Sequence, residues 1–490
     1  MADERDGMAD DLLATTRALC PSCLRVVEAE TVERNGQVWL VRTCPEHGPA
    51  ESLVLGDADW WRWSRKFLRP GRPPAVAVTG SEHGCPYDCG FCPDHQQHAC
   101  VTVFEITESC NLRCPACFAG EAHAVHATLD DVRSMAEGLL RAEGGEADVV
   151  MLSGGEPTLH PQFLEIVDEL RSMAIGYLIV NSNGTRLARD AAFARAVAEC
   201  GMLVYLQFDG FRRETSEVLR GRGDLVDVKL QALENLTAAG ARVVLVATVL
   251  AGVNDDEVGE IVRFAAHHPA VRAVSLQPQF AEGRHVAFDP GRRATVTDVI
   301  DAIARDSGIF TRADFVPIPC CDPMCTAATY AWVDGDTVTP VTRMVPVETY
   351  LEYLENTSMP NLSDAFREDV ADMRAVIDRL YSKSAPHGSD RQRDAFLCAC
   401  EPLVAEFDRV ANLPGEVFAV TIEQFMDRDI FDVDRVSRCC IQEALPDGRI
   451  VPFCAYNTLY RFAPDHRPVP GRAPNRRMPV PVALDPPRPR

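Results

Sequence analysis

The sequence predicts an α/β protein organised as a partial (β/α)6 TIM-type barrel, with an N-terminal Cys-rich metal-binding unit of rubredoxin or zinc-ribbon type and a thiol-rich C-terminal region. Three observations lead there. From Val101 onward, short apolar runs alternate six times with amphipathic helical patterns, the rhythm of parallel strands joined by crossover helices. Two knuckles, Cys20-x2-Cys23 and Cys44-x2-His47, frame a strand-rich stretch near the start. Polar residues collect where the predicted barrel strands end, which is where barrels of this class build their sites.

Taken in order, segment 1–75 offers Cys20, Cys23, Cys44 and His47 as ligands for zinc or a mononuclear iron. Segment 76–100 holds Cys85-x3-Cys89-x2-Cys92-x7-Cys100, four thiols expected to close the shell of an auxiliary 4Fe-4S cluster, with His95 and His98 as supporting or exposed groups. The barrel spans 101–315, with strands in VTVFEI, DVVML, YLIVNS, LVYLQFD, ARVVLVATVL and VRAVSLQPQ, and with helices from Leu129 to Ala142 and near Leu225 to Ala239. Region 316–463 is expected to form an auxiliary-cluster and cap region. Its thiols are Cys320, Cys321 and Cys325 in PIPCCDPMC, then Cys398 and Cys400, then Cys439, Cys440 and Cys454. A second auxiliary cluster is expected from Cys320, Cys325, Cys439 and Cys454; the sequence leaves open which of Cys320/Cys321 and of Cys439/Cys440 ligates. The run from Val347 to Tyr381 reads as a helical, polar cap, and residues 464–490, with nine prolines and six arginines, as a disordered tail.

The chemistry centres on Thr107 to Phe118, TESCNLRCPACF, with Cys110, Cys114 and Cys117 in C-x3-C-x2-C spacing. Three close thiols suit a cubic iron–sulfur cluster with one iron left without a protein ligand, whereas structural zinc closes its shell with a fourth. This loop follows the first barrel strand, and GGEPT (Gly154 to Thr158) follows the second. Cys85, Cys89 and Cys92 repeat the spacing, so position in the fold, not the motif, selects Cys110, Cys114 and Cys117. Gly154 and Gly155 permit close backbone approach, Glu156 can accept a hydrogen bond from a ligand amine, and Asn183, Gln207, Asp209, Gln277 and Gln279 sit at strand ends.

Loop and turn together resemble the radical S-adenosylmethionine (radical SAM) superfamily. The wider set, CPSC…CPEHG, CPYDCGFCPDH…C, EITESCNLRCPACFA, PIPCCDPMC and DGRIVPFCAYN, is similar to the branch holding the archaeal tetraether lipid synthase and related pterin-methylating radical enzymes. The resemblance implies a 4Fe-4S cluster on Cys110, Cys114 and Cys117 that binds S-adenosylmethionine and generates a 5'-deoxyadenosyl radical. Gly154, Gly155, Glu156, Asn183 and Gln207 would contact the cofactor, and one or two auxiliary 4Fe-4S clusters would assist. It further implies C–C bond formation at an unactivated carbon, by lipid-chain coupling or by methylation of a small molecule such as a pterin, with flavodoxin or ferredoxin as electron donor. A long apolar tunnel would indicate acyl chains, and a short polar pocket a heterocycle.

Bulk properties narrow the choice. A formal charge of -23 argues against nucleic-acid binding. The longest apolar stretch is too short to span a bilayer, leaving at most transient membrane contact. Nineteen cysteines without an export signal point to metal clusters in a reducing cytoplasm. Competing readings are a peptide-modifying radical SAM enzyme and a zinc-binding scaffold.

Overall fold

The computed structural model describes residues 10–119, 123–344, 347–352, 354–357, 416–463 and 468. Of the expected cap only residues up to 357 are described; Cys398, Cys400 and the tail, apart from Pro468, lie outside the described residues.

The N-terminal segment is an antiparallel meander of β1 (Asp11–Leu19), β2 (Val26–Arg34), β3 (Gln37–Cys44) and β4 (Gly48–Leu55). Asn35 and Gly36, with φ of 54° and 77°, form the two-residue turn whose twist matches a β-hairpin. First and third strands of a meander run the same way. The turn after β1, with Cys20 and Cys23, therefore meets the turn after β3, with Cys44 and His47, at one end of the sheet. Helix α1 (Ala58–Ser64), capped by Asp57, leads away from it. Residues 68–100 contain no helix or strand and are tied down on several sides: Arg69 N–H to Pro319 O (2.9 Å), Val76 N–H to Ala142 O (3.1 Å) and Gln96 N–H to Ser437 O (2.8 Å).

Six parallel strands then follow in sequence order: β5 (Val101–Thr107), β6 (Ala147–Gly154), β7 (Ile175–Ser182), β8 (Leu203–Gln207), β9 (Arg242–Val249) and β10 (Val271–Pro278). Helices α2 (Leu129–Ala142), α3 (Phe163–Arg171), α4 (Thr185–Arg189), α5 (Ala191–Glu199), α6 (Arg213–Arg220), α7 (Leu225–Ala238), α8 (Val258–Ala266) and α9 (Val296–Asp306) supply the crossovers and outer layer. α2 begins at a capping box between Thr128 and Asp131. Strand alternation sorts the core. Val150, Leu152, Val180, Val204, Leu206 and Leu245 belong to the main core with the helices, while Val149, Ile179, Leu203, Val244 and Val246 form a separate cluster inside the barrel.

The C-terminal region extends this sheet at both ends. After β11 (Val316–Pro317), β12 (Thr326–Asp334) and β13 (Thr337–Pro340), strand β14 (Glu416–Glu423) adds parallel to β10. β15 (Ile441–Ala444) adds parallel to β5, giving eight parallel strands among the described residues, and β16 (Ile450–Pro452) folds back on it. No described helix is long and apolar enough to cross a membrane.

Candidate active site and thiol groups

The loop after β5 folds over the carboxyl end of the barrel. Cys117 exchanges backbone hydrogen bonds with Arg284 (2.7 and 2.9 Å), and Ala116 N–H binds Leu219 O at 3.0 Å. Cys110, Cys114 and Cys117 line one cavity of ≈ 170 Å³ with Gly154, Gly155, Asn183 and Gln207. Burial pushes the Cys110 thiol up to about 11 and raises Cys114 as well. These sulfurs become thiolates when a cation takes up the charge, which suits metal ligation. The Nε of Arg284, also on the cavity wall, is buried with no hydrogen-bond partner among the described residues.

Close packing explains the glycine pair. A Cβ on Gly154, whose φ is +114°, would stand 2.1 Å from Thr107 O, and one on Gly155 would stand 2.3 Å from Ser109 O. Gly155 N–H and Glu156 N–H bind those same carbonyls at 2.7 and 2.8 Å, so the second strand's turn clamps the cysteine loop. The expected reach of Glu156 toward a ligand amine is corrected by its surroundings. Glu156 is 1% exposed, and its oxygens are taken by Thr158 Oγ1 (2.6 Å), Ser182 Oγ (2.8 Å) and Asn183 N–H (2.6 Å). Glu156 braces the β6 and β7 ends from behind.

Asn183 lines the cavity, with its amide donating to Asn111 Oδ1 (2.8 Å) and lying 4.0 Å from Cys110 Sγ. Gln207 is held between Lys229, which donates to its oxygen at 2.6 Å, and Asp209. Asp209 pairs bidentately with Arg220 (2.6 and 2.7 Å), and Arg220 also reaches Thr248 (2.9 Å) and Ala116 O (3.0 Å). Arg220 and Lys229 escape the sequence reading. Lys229 left a signal, because it falls on the face of α7 that buries Leu225, Ala232, Leu233 and Leu236. Burial lowers its ammonium to about 8.

The remaining thiols assemble differently from the expected sets. Cys85, Cys89 and Cys92 share one small hollow with Asp94, His95 and Ser437. Cys100 does not join them: its thiol pairs with Cys440, and Cys440 lies 3.1 Å from Cys321, beside Cys320. His98 Nε2 approaches Cys100 Sγ at 3.5 Å, and His95 Nε2 meets Cys439 O at 3.0 Å, so both imidazoles are buried supports. The third group joins Cys439 to Cys454, with Cys325 close by. The four expected partners Cys320, Cys325, Cys439 and Cys454 are thus divided between two groups, and Cys321 and Cys440, left out of that set, belong to the first. Adjacent residues Cys439 and Cys440 serve opposite groups.

At the N-terminal knuckles, the ligand atoms of Cys20, Cys23, Cys44 and His47 all lie within 4.8 Å of one another. Cys20 Sγ to His47 Nδ1 is 3.7 Å, Cys44 Sγ to His47 Nδ1 is 3.5 Å, and Cys23 Sγ to Cys44 Sγ is 3.9 Å. A tetrahedral zinc with bonds of about 2.0–2.3 Å spaces its donors by roughly 3.5–3.8 Å, so these residues fit such an ion.

Barrel, three-cysteine loop and clamped glycine turn together define a radical SAM enzyme. The family model "Radical SAM superfamily" matches residues 104–265, and "HMPTM N-terminal zinc ribbon domain" matches residues 12–56. The chain is 33% identical over 482 residues, 91% of its length and 94% of the relative's, to the 7,8-dihydro-6-hydroxymethylpterin dimethyltransferase of Methanocaldococcus jannaschii. It belongs to that family, a branch of radical SAM enzymes of methyltransferase type. A shorter likeness, 30% over 180 residues, covers 36% of this chain and 45% of the mycofactocin maturase MftC of Mycobacterium tuberculosis. The solved SuiB of Streptococcus suis bound to S-adenosylmethionine is 14% identical with a TM-score of 0.33, covering 38% of this chain and 42% of that one.

Proposed function

We propose that this enzyme methylates a carbon of a small heterocycle of the pterin class, with Cys110, Cys114 and Cys117 holding the 4Fe-4S cluster. When bound, the reduced cluster and S-adenosylmethionine supply a 5'-deoxyadenosyl radical that takes a hydrogen atom from an unactivated carbon. The observation that carries the substrate class is the cavity wall beside the three cysteines. Asn181 and Asn183 from the β7 end, Gln207 from β8, Thr248 from β9 and Gln277 from β10 converge on it. Asn183, Gln207 and Thr248 are braced by Asn111, Lys229 and Arg220; a ring bearing nitrogens and carbonyls can pair with the Asn181 and Gln277 amides on the same wall, which an acyl chain cannot. The name of the M. jannaschii relative agrees with this choice over lipid coupling.

The protein's own residues then have distinct tasks. Asn183 and Gln207 present amide groups to the cofactor and are held in place by Asn111 and Lys229. Gly154 and Gly155 fix the cysteine loop. Phe118, Phe280 and Phe425 close the mouth, with ring centroids 5.7 Å (Phe118 to Phe280) and 6.0 Å (Phe280 to Phe425) apart, and exclude water from the radical. Cys100, Cys320, Cys321 and Cys440 offer four thiols for a closed auxiliary cluster, and the Cys85 and Cys325 groups offer three each. A flavodoxin or ferredoxin fits as the one-electron donor.

The test is an anaerobic incubation of reconstituted enzyme with S-adenosylmethionine, dithionite and 7,8-dihydro-6-hydroxymethylpterin, followed by mass spectrometry. Formation of 5'-deoxyadenosine stimulated by the pterin is expected. Stimulation by an acyl lipid instead would replace the pterin reading with lipid coupling.

A further inference from the structure

Inside the barrel lies a carboxylate that nothing above employs. Glu423 ends β14, level with Gln277 of β10, since Ser275 pairs with Thr421 and Leu276 with Ile422 in register. Alternation places Thr421 and Glu423 on one face of β14, and Gln277 lines the cavity together with Phe425, two residues beyond the end of β14. Glu423 therefore stands directly behind Gln277 at the edge of that cavity.

Its contacts are unusual for a partly buried acid. Gln277 Nε2 lies 3.2 Å and Ser275 Oγ 3.4 Å from Oε2, and Thr421 Oγ1 lies 3.4 Å from Oε1. All are long, and no cation acts on it among the described residues. Elsewhere in and around the barrel, Asp209 has Arg220, Glu105 has Arg461, Asp427 has Arg293 and Glu282 has Arg428. Burial raises the Glu423 carboxyl above its ordinary value. Tyr205 and Tyr330 lie within electrostatic reach of Glu423, and the Tyr205 hydroxyl makes no hydrogen bond among the described residues. A carboxylate held by loose contacts beside an aromatic ring has acceptor capacity left over for a ligand.

Resting on the pterin reading, we propose that Glu423, with Gln277 beside it, is the specificity-determining group that reads the 2-amino-4-oxopyrimidine edge of the substrate. That edge presents two parallel donors, the ring N3–H and the 2-amino group, to the two carboxylate oxygens, and one acceptor, the 4-carbonyl, to the Gln277 amide. Two charge-assisted bonds in a dry site replace the loose contacts seen in the free protein. A hydrocarbon substrate would leave the acid unpaired.

The experiment measures binding of 6-hydroxymethylpterin to the anaerobically reconstituted full chain by quenching of pterin fluorescence, against 6-hydroxymethyllumazine, in which a carbonyl replaces the 2-amino group. The wild type is expected to prefer the pterin by about 10- to 100-fold. Glu423→Gln, nearly isosteric, is expected to lose most of that preference while keeping its iron content and visible absorption. Gln277→Leu provides a second variant that leaves the carboxylate in place and is expected to weaken both ligands. Undiminished preference in Glu423→Gln, with pterin still bound, overturns the assignment of Glu423 and leaves the pterin reading standing. Should the wild type bind neither ring, the pterin reading itself falls, and this inference with it.

Discussion

The sulfur of Cys321 lies 3.1 Å from that of Cys440, although 119 residues separate them. Cys440 immediately precedes β15, which pairs with β5, and Cys100 immediately precedes β5, so the register of Ile441 with Val101 brings Cys100 and Cys440 side by side. Cys100→Ala and Cys440→Ala are expected to lose the same iron–sulfur signal. Cys439→Ala should affect a different one, shared with Cys454→Ala. Iron and sulfide content with low-temperature EPR of the reduced variants distinguishes the pairs; a common phenotype for Cys100→Ala and Cys85→Ala would contradict the grouping.

Gly155→Ala places a methyl group 2.3 Å from Ser109 O and must push the cysteine loop aside. A displacement of about 1 Å at a reacting centre costs on the order of 100-fold in rate. The expected outcome is a loss of that size in 5'-deoxyadenosine formation, with the metal content of the N-terminal ribbon unchanged.

Arg220 is 11% exposed in its side chain and satisfies Asp209, which is 4% exposed. Arg220→Met leaves that carboxylate buried without its cation and should destabilise the chain by about 3–5 kcal/mol in chemical unfolding. Adding Asp209→Asn should recover much of the loss, because an amide is less costly to bury than an unpaired charge.

Much of this site was legible in the sequence. The strand-and-helix rhythm set the barrel, and the three-cysteine loop and GGEPT turn fell on the expected strand ends because both motifs are local. The thiol grouping was not legible: Cys100 lies eight residues from Cys92 in sequence yet joins Cys440 through strand pairing. Glu156 looked like a ligand for a related reason. Its strand-end position is real, but the hydroxyls of Thr158 and Ser182 and the N–H of Asn183 that saturate it come from the next turn and the next strand.

Glu282 provides a pH test. It is fully buried, and burial outweighs its ion pair with Arg428 (2.7 Å), pushing the carboxyl up to about 7 from a usual value near 4.5. Between those values the folded chain keeps a proton that the unfolded chain has released. Its contribution to stability is therefore complete below about pH 4.5 and is lost as pH rises toward about 7. Glu282→Gln should remove this slope, a difference of about 3 kcal/mol between the two ends of the window, read from urea unfolding of variant and wild type.

The ribbon metal should be independent of the barrel. Cys44→Ser is expected to release about one zinc or iron per chain, measured by elemental analysis, while 5'-deoxyadenosine formation persists.

The central claim is that Cys110, Cys114 and Cys117, and not the equally spaced Cys85, Cys89 and Cys92, generate the radical. It is tested most directly by 5'-deoxyadenosine formation under dithionite in two triple-alanine variants, one for each loop. The Cys110, Cys114, Cys117 variant is expected to form none, and the Cys85, Cys89, Cys92 variant to retain formation from S-adenosylmethionine. Continued 5'-deoxyadenosine formation by the first variant would contradict the account.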